Sequence, residues 1–280
     1  MVLYPYPVTL NLRMSPMPLQ DSYFERDGGR IAYRITGAGR PLGYAHGVLL
    51  SRAGVRGLKL FDIEAVADGR RLLTYDQRGH GRSSGRPRAE DYLFENFSRD
   101  LLGLLDAVGI DEPMDFVGSS LGADVALRSA IAAPQRFRRL VLMIPPVAWE
   151  TGPQQARNWY TDAAEAIDSD GPAAWLDRWA EGEPLPIFAD YPEFGFTPDV
   201  PDELLAPILR GVGRSDLPDP AEIATLTHPT LILAWDTDPL HPVSTAEKLR
   251  ELLPNATLHI STSVADIKTW TDRTSAFLVD

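Results

Sequence analysis

Strand-like and helix-like segments take turns along most of this chain, and that alternation narrows its possible folds more than any other feature. After residue 21, SYFERDGGRIAYRITGAGRP reads as two strands about an Asp27-Gly28-Gly29 turn, where glycine supplies positive φ. Residues 42–45 then form a buried strand that ends in His46-Gly47. Leu58, Phe61, Ile63 and Val66 are spaced for a helix over 57–68, RRLLTYD is a strand and QRGHGRSSGRP a glycine-rich loop. Residues 98–108 read as an amphipathic helix capped by Ser98 and ended at Gly109. MDFVG is a short strand, LGADVALRSAIAAP a helix stopped by Pro134, and RRLVLMIPP another strand. From His228 the pattern resumes with PTLILAWD, STAEKLRELLP, ATLHIST and IKTWTDRTSAFLVD as strand, helix, strand and helix. Units of this kind build a doubly wound, mostly parallel α/β sheet.

One stretch breaks the rhythm. Residues 148–219 hold four of the six tryptophans, at 149, 159, 175 and 179, among helical segments such as RNWYTDAAEAI and PAAWLDRWA. Acidic residues concentrate in the same place. Residues 150–222 carry sixteen Asp/Glu against four Arg, which by itself equals the net charge of −12 of the whole chain. That balance argues against a nucleic-acid or anionic-membrane partner. No cysteine is present, which excludes disulfide scaffolds, thiolate zinc sites and cysteine nucleophiles. No run approaches the roughly 18 apolar residues of a membrane span. The opening stretch lacks a basic start and is broken by four prolines, so it does not read as a signal peptide and a cytoplasmic protein is expected. A chain of 280 residues buries about three quarters of its unfolded surface, enough for a polar cavity inside one core.

Gly118-Ser119-Ser120-Leu121-Gly122 matches G-x-S-x-G and lies between a strand and a helix, the context that motif requires. Glycines around Ser120 allow a sharp turn that projects its Oγ and aims the following amide at a developing oxyanion. With YAHG, YDQRGHGRSSG and LILAWDTDPLHP before and after it, in that order, the chain over about residues 22–280 resembles the α/β-hydrolase fold family. The resemblance implies an eight-stranded, mostly parallel sheet flanked by helices. The proline-broken opening stretch reads as an N-terminal arm over 1–21, and the resemblance implies a core of 22–147 and 220–280 with a helical lid over 148–219. Residue by residue, it makes Ser120 the nucleophile, the Val48 and Leu121 amides the oxyanion hole and Asp238 the acid, with Asp236 the competing carboxylate.

The family's histidine, which normally follows the last strand in a Gly-His pair, is missing: that stretch reads Leu258-His259-Ile260-Ser261-Thr262-Ser263-Val264-Ala265-Asp266. His259 falls inside the strand itself. A serine without a base is a poor nucleophile. His241, three residues past Asp238, is the substitute base, the alternative being an ordinary His-Pro turn at the surface. His46 reads as structural, His80 as part of a solvent-facing loop and His228 as a strand entrance. None has metal-ligand spacing, so neither a metal nor another cofactor is expected. Trp149, Trp159 and Phe188 are candidates for the pocket wall, whereas Trp175 and Trp179, at i and i+4, read as packing.

These residues point to a serine hydrolase that cleaves a neutral carboxylic ester or lactone through an acyl-enzyme. A small neutral or cationic substrate is favoured, since an acidic lid repels anions. The missing Gly-His leaves two other readings open. One is a non-hydrolytic enzyme that cyclises, eliminates or decarboxylates a polyketide-like molecule, and the other is a non-catalytic binding protein.

Overall fold

The computed structural model describes residues 20–191 and 194–279, without the side chain of Arg157. Residues 1–19 of the expected arm lie outside the described residues. Eight strands, β1 (Ser22–Arg26), β2 (Gly29–Gly37), β3 (Pro41–Ala45), β4 (Arg71–Tyr75), β5 (Met114–Ser119), β6 (Phe137–Met143), β7 (Thr230–Trp235) and β8 (Ala256–Ser261), form one sheet. Their order is β1-β2-β4-β3-β5-β6-β7-β8. β2 runs antiparallel to both neighbours, and the remaining pairs are parallel.

Helices α1 (Arg52–Leu58) and α2 (Ile63–Val66) join β3 to β4, α3 (Phe94–Ala107) leads to β5, and α4 (Leu121–Ala132) to β6. Between β6 and β7 lie α5 (Gln154–Asp170), α6 (Pro172–Ala180), α7 (Asp202–Gly213) and α8 (Pro220–Ile223). After β7 come α9 (Val243–Leu252), then β8, α10 (Val264–Ile267) and α11 (Trp270–Leu278).

The apolar strands β3 and β7 are buried along their whole length, as expected for strands covered on both faces. Successive residues alternate between two separate hydrophobic clusters: Phe116 and Ile232 enter one, Val117, Leu231 and Leu233 the other. A period of two is what a pleated strand imposes, so each cluster fills one face of the sheet. From β3 the chain crosses to β4 on one side and then returns to β5 on the other, so the strand order reverses between β3 and β5. Ligands of open α/β sheets bind beyond the carboxyl ends of the strands at such a reversal. Here that crevice is bordered by the loop after β3 and by Ser120.

Three helix expectations change. The single helix over 57–68 is two short ones, because Lys59 takes a left-handed φ of 54° and Asp62 caps a new start at α2. α3 begins at Phe94 instead of after Ser98, whose buried hydroxyl bonds Ser129 Oγ at 3.0 Å. The last helix is likewise divided, with Ser263 capping α10.

Candidate active site

Ser120 occupies the turn between β5 and α4 with φ 54° and ψ −114°, a conformation that side chains rarely adopt. Close backbone approach explains the glycines on either side. A Cβ on Gly118 would stand 2.0 Å from the Gly122 carbonyl oxygen, and one on Gly122 would stand 2.1 Å from the Ala45 carbonyl oxygen. Only glycine lets the strand reverse into a helix this tightly against β3. The turn is pinned by Ser120 N–H donating to Met143 O at 2.9 Å and by Ala123 N–H donating to Ser120 O at 2.8 Å.

His241 Nε2 lies 2.8 Å from Ser120 Oγ, and its Nδ1 lies 2.7 Å from Asp238 Oδ2. Both residues come from the loop after β7, where the Leu240 amide donates to Asp238 Oδ1 at 3.0 Å. Burial by itself raises the Asp238 carboxyl, but the charge and hydrogen bond of His241, then those of Trp235 and the Leu240 amide, hold it down at about 2. An ionised carboxylate only accepts, so Nδ1 carries the proton and Nε2 faces the Ser120 hydroxyl as acceptor. Asp236 is the other carboxylate weighed for this position. Its backbone N–H bonds Ser261 O, and the imidazole contact belongs to Asp238.

Val48 lies in the loop after β3 and lines the same cavity as Ser120. The adjoining Gly47 is so close that an added Cβ would meet Ser120 Cβ at 3.2 Å. Leu121 opens α4, so its amide has no acceptor within the helix. His46 fixes this loop from below: its Nδ1 bonds Gly47 O at 2.8 Å and its Nε2 accepts from the Gln77 amide at 2.9 Å. His80 departs from expectation. It is fully buried, bonded through Nδ1 to Arg78 O at 2.8 Å and set edge-on to His46 at 5.5 Å. The loop after β4 folds inward because Asp76 accepts from the Arg52 side chain and from the Arg82 amide. His259 stays in β8, paired with Asp266 at 2.8 Å. His228 bonds Pro134 O at 2.9 Å.

A cavity of about 1190 Å³ opens above Ser120 and His241. Trp159 and Phe188 are in its wall, but Trp149 is absent from it. The Trp149 indole instead donates to Pro218 O at 3.2 Å and its amide to the Asp216 carboxylate, which turns the residue toward the segment before α8. Trp175 and Trp179 do more than pack, since both also line the cavity. Of the sixteen acidic residues of 150–222, the one in the wall among the described residues is Glu183, so the rest of the described acidic excess does not line the cavity.

Sequence reasoning missed Trp235. Its Nε1–H donates to Asp238 Oδ2 at 3.0 Å, the same oxygen that accepts from His241. The signal was an indole at the end of a buried strand, which needs a hydrogen-bond partner, three residues before the expected acid. Trp270, Phe194 and Phe196 also line the cavity and were not singled out for it.

Comparison with known proteins agrees with this fold. Residues 44–183 match the family model described as alpha/beta hydrolase fold. The chain is 30% identical over 205 residues to "Putative carbamate hydrolase RutD" of Variovorax paradoxus, covering 68% of this chain and 72% of that protein. It is 26% identical over 204 residues to 3-oxoadipate enol-lactonase 1 of Acinetobacter baylyi, covering 68% and 69%. In architecture it is similar to a thermophilic esterase from Thermogutta terrifontis, with a TM-score of 0.73 at 22% identity over 92% of this chain and 96% of that one. No helix among the described residues is long and apolar enough to cross a membrane. From the strand order, the serine turn and these likenesses together, the chain belongs to the alpha/beta hydrolase fold family and is an enzyme of the hydrolytic kind.

Proposed function

We propose that the protein is a serine hydrolase that cleaves a neutral carboxylic ester or lactone through an acyl-enzyme. The observation that carries this reading is the continuous chain Ser120 Oγ, His241, Asp238 at 2.8 and 2.7 Å. Ser120 Oγ attacks the substrate carbonyl carbon while its proton passes to His241 Nε2. The carbonyl oxygen becomes an oxyanion and is held by the Val48 and Leu121 amides. Asp238 keeps the imidazole in the tautomer that can accept this proton and stabilises the imidazolium that forms. His241 then returns the proton to the leaving alkoxide as the carbon–oxygen bond breaks. In the second half a water gives its proton to His241 and attacks the acyl carbon, and His241 returns that proton to Ser120 Oγ as the acyl–oxygen bond breaks, which releases the acid. No step calls for a metal or an organic cofactor.

The helical segment over 148–219 acts as the lid, with Trp159 and Phe188 in contact with substrate. Relatives bearing the names of a carbamate hydrolase and an enol-lactonase support the hydrolytic reading. A fluorophosphonate probe tests it: mass spectrometry should find one covalent adduct at Ser120, lost in Ser120→Ala and formed far more slowly in His241→Ala. A folded protein that is never labelled would favour a non-hydrolytic enzyme or a binding protein on the same scaffold.

A further inference from the structure

Five of the six tryptophans line the cavity above Ser120, and they are organised as two separate walls. Trp179 is the hub of the first, with ring centroids 6.0 Å from Trp159, 5.3 Å from Trp175 and 5.3 Å from Phe196. The Trp179 indole N–H is already satisfied by Phe196 O at 2.8 Å, so the hub of this wall meets the cavity as ring surface. Trp235 is the hub of the second wall. It stands edge-on to Phe188 at 5.0 Å and stacks on Trp270 at 5.5 Å, while Phe188 stacks on Phe194 at 3.6 Å.

The first wall packs on the hydrophobic cluster of one sheet face and the second belongs to the cluster of the other face. Ser120 directly follows β5, a strand in the middle of the sheet, so the reacting centre lies at the edge that both faces share. Neither wall contains a charged side chain. The charged side chains elsewhere in the lining are tied up or open to water: Asp238 holds His241, Arg178 pairs with Asp170 at 2.9 Å, and Glu183 is exposed. Drug-sized ligands occupy pockets of about 300–1,000 Å³, so 1190 Å³ is more than a small carbamate or a single-ring lactone fills.

Resting on the hydrolase reading above, we infer that the preferred substrate is a neutral ester with an aromatic group on each side of the scissile carbonyl, one ring system against each wall. Aromatic pairs gain beyond their buried area when they stack offset or edge to face, which both hubs allow. Four esters separate the contributions: 2-naphthyl 2-naphthoate, methyl 2-naphthoate, 2-naphthyl acetate and ethyl acetate. The two-ring ester should give the highest kcat/KM, with each lost ring system costing about tenfold or more. Trp179→Ala should impair one of the two single-ring-system esters by about tenfold and spare the other, and Phe194→Ala should do the reverse. Equal kcat/KM on all four esters, or both variants impairing the same ester, overturns the inference while leaving the hydrolase reading intact. Should no ester be turned over and Ser120 not label, the hydrolase reading is what fails. Binding still decides the two-walled site: di-2-naphthyl ketone should quench most of the tryptophan fluorescence, with Trp149 outside the cavity as the remainder, and an unchanged spectrum overturns the inference.

Discussion

At the scale of single residues, the strain and the base are the points open to measurement. Ser120 holds φ 54° although it has a side chain. Glycine adopts such angles freely, so Ser120→Gly should be more stable than Ser120→Ala by about 1 kcal/mol in denaturant unfolding, although both lose the hydroxyl. An order with Ala equal to or above Gly would remove the argument for strain. His241→Ala should lower kcat by about 10²–10⁴, the range for loss of a general base. His259→Ala should keep kcat and lower only the melting temperature, because its partner is Asp266 in α10. The reverse result would assign the base elsewhere. The placement of His241 was only half legible in the sequence. Its distance from Asp238 along the chain could be read directly, but its 2.8 Å approach to Ser120 spans 121 residues and depends on how the loop after β7 leaves the sheet.

At the scale of elements, the sequence revealed strands better than helix ends. The central strands β3, β5 and β7 are buried on both faces and read as apolar runs, and their assignments carried over into the sheet. Helix limits were set by features outside local pattern, such as the left-handed Lys59 that divides 57–68 and the side-chain bond that draws Ser98 inside α3. The loop after β4 was misread as solvent-facing because glycine and arginine dominate it, whereas buried ion pairs such as Arg78 with Asp100 at 2.6 Å turn it inward. This burial has a pH signature. Burial, then the nearby His46 charge, press His80 down to about 3, and burial also lowers His46. In the unfolded chain a histidine binds its proton near about 6.5, so between these values the unfolded state takes up more protons than the folded one. The stabilisation is complete above that upper value and is lost as the pH falls toward the lower one. The melting temperature should therefore drop steadily from pH 7 to pH 4. His80→Gln should flatten that slope even though it begins from a lower value, and an unchanged slope would place the acid sensitivity elsewhere.

At the scale of the whole molecule, fold class, strand count and the place of the serine turn were readable from the order of motifs, because each motif is tied to a strand end. The distribution of charge was not. Sequence position put the acidic excess over the site, yet among the described residues Glu183 is its one member in the cavity wall. The net charge of −12 then acts from outside, as a field over the surface. A cationic ester should have a higher kcat/KM than an anionic ester of equal size at about 0.01 M salt, where charges are felt over about 30 Å. The difference should nearly vanish by about 0.15 M, where that reach falls to about 8 Å, with kcat the same throughout. A preference that survives high salt would mean that acids reach the bound substrate.

Asp238 and His241 share one tetrapeptide, Asp238-Pro239-Leu240-His241, braced by its own Leu240 amide and by the indole of the preceding strand. On the proposed mechanism, acid and base are thus a single portable cassette at the end of β7. Everything from β8 onward is released from supplying a reactive group. The stretch from Ala256 onward is then free to be recombined, shortened or fused as long as it still covers the sheet edge and keeps Trp270 against Trp235, and grafting the cassette onto a relative whose own late histidine has been deleted becomes a feasible transplant.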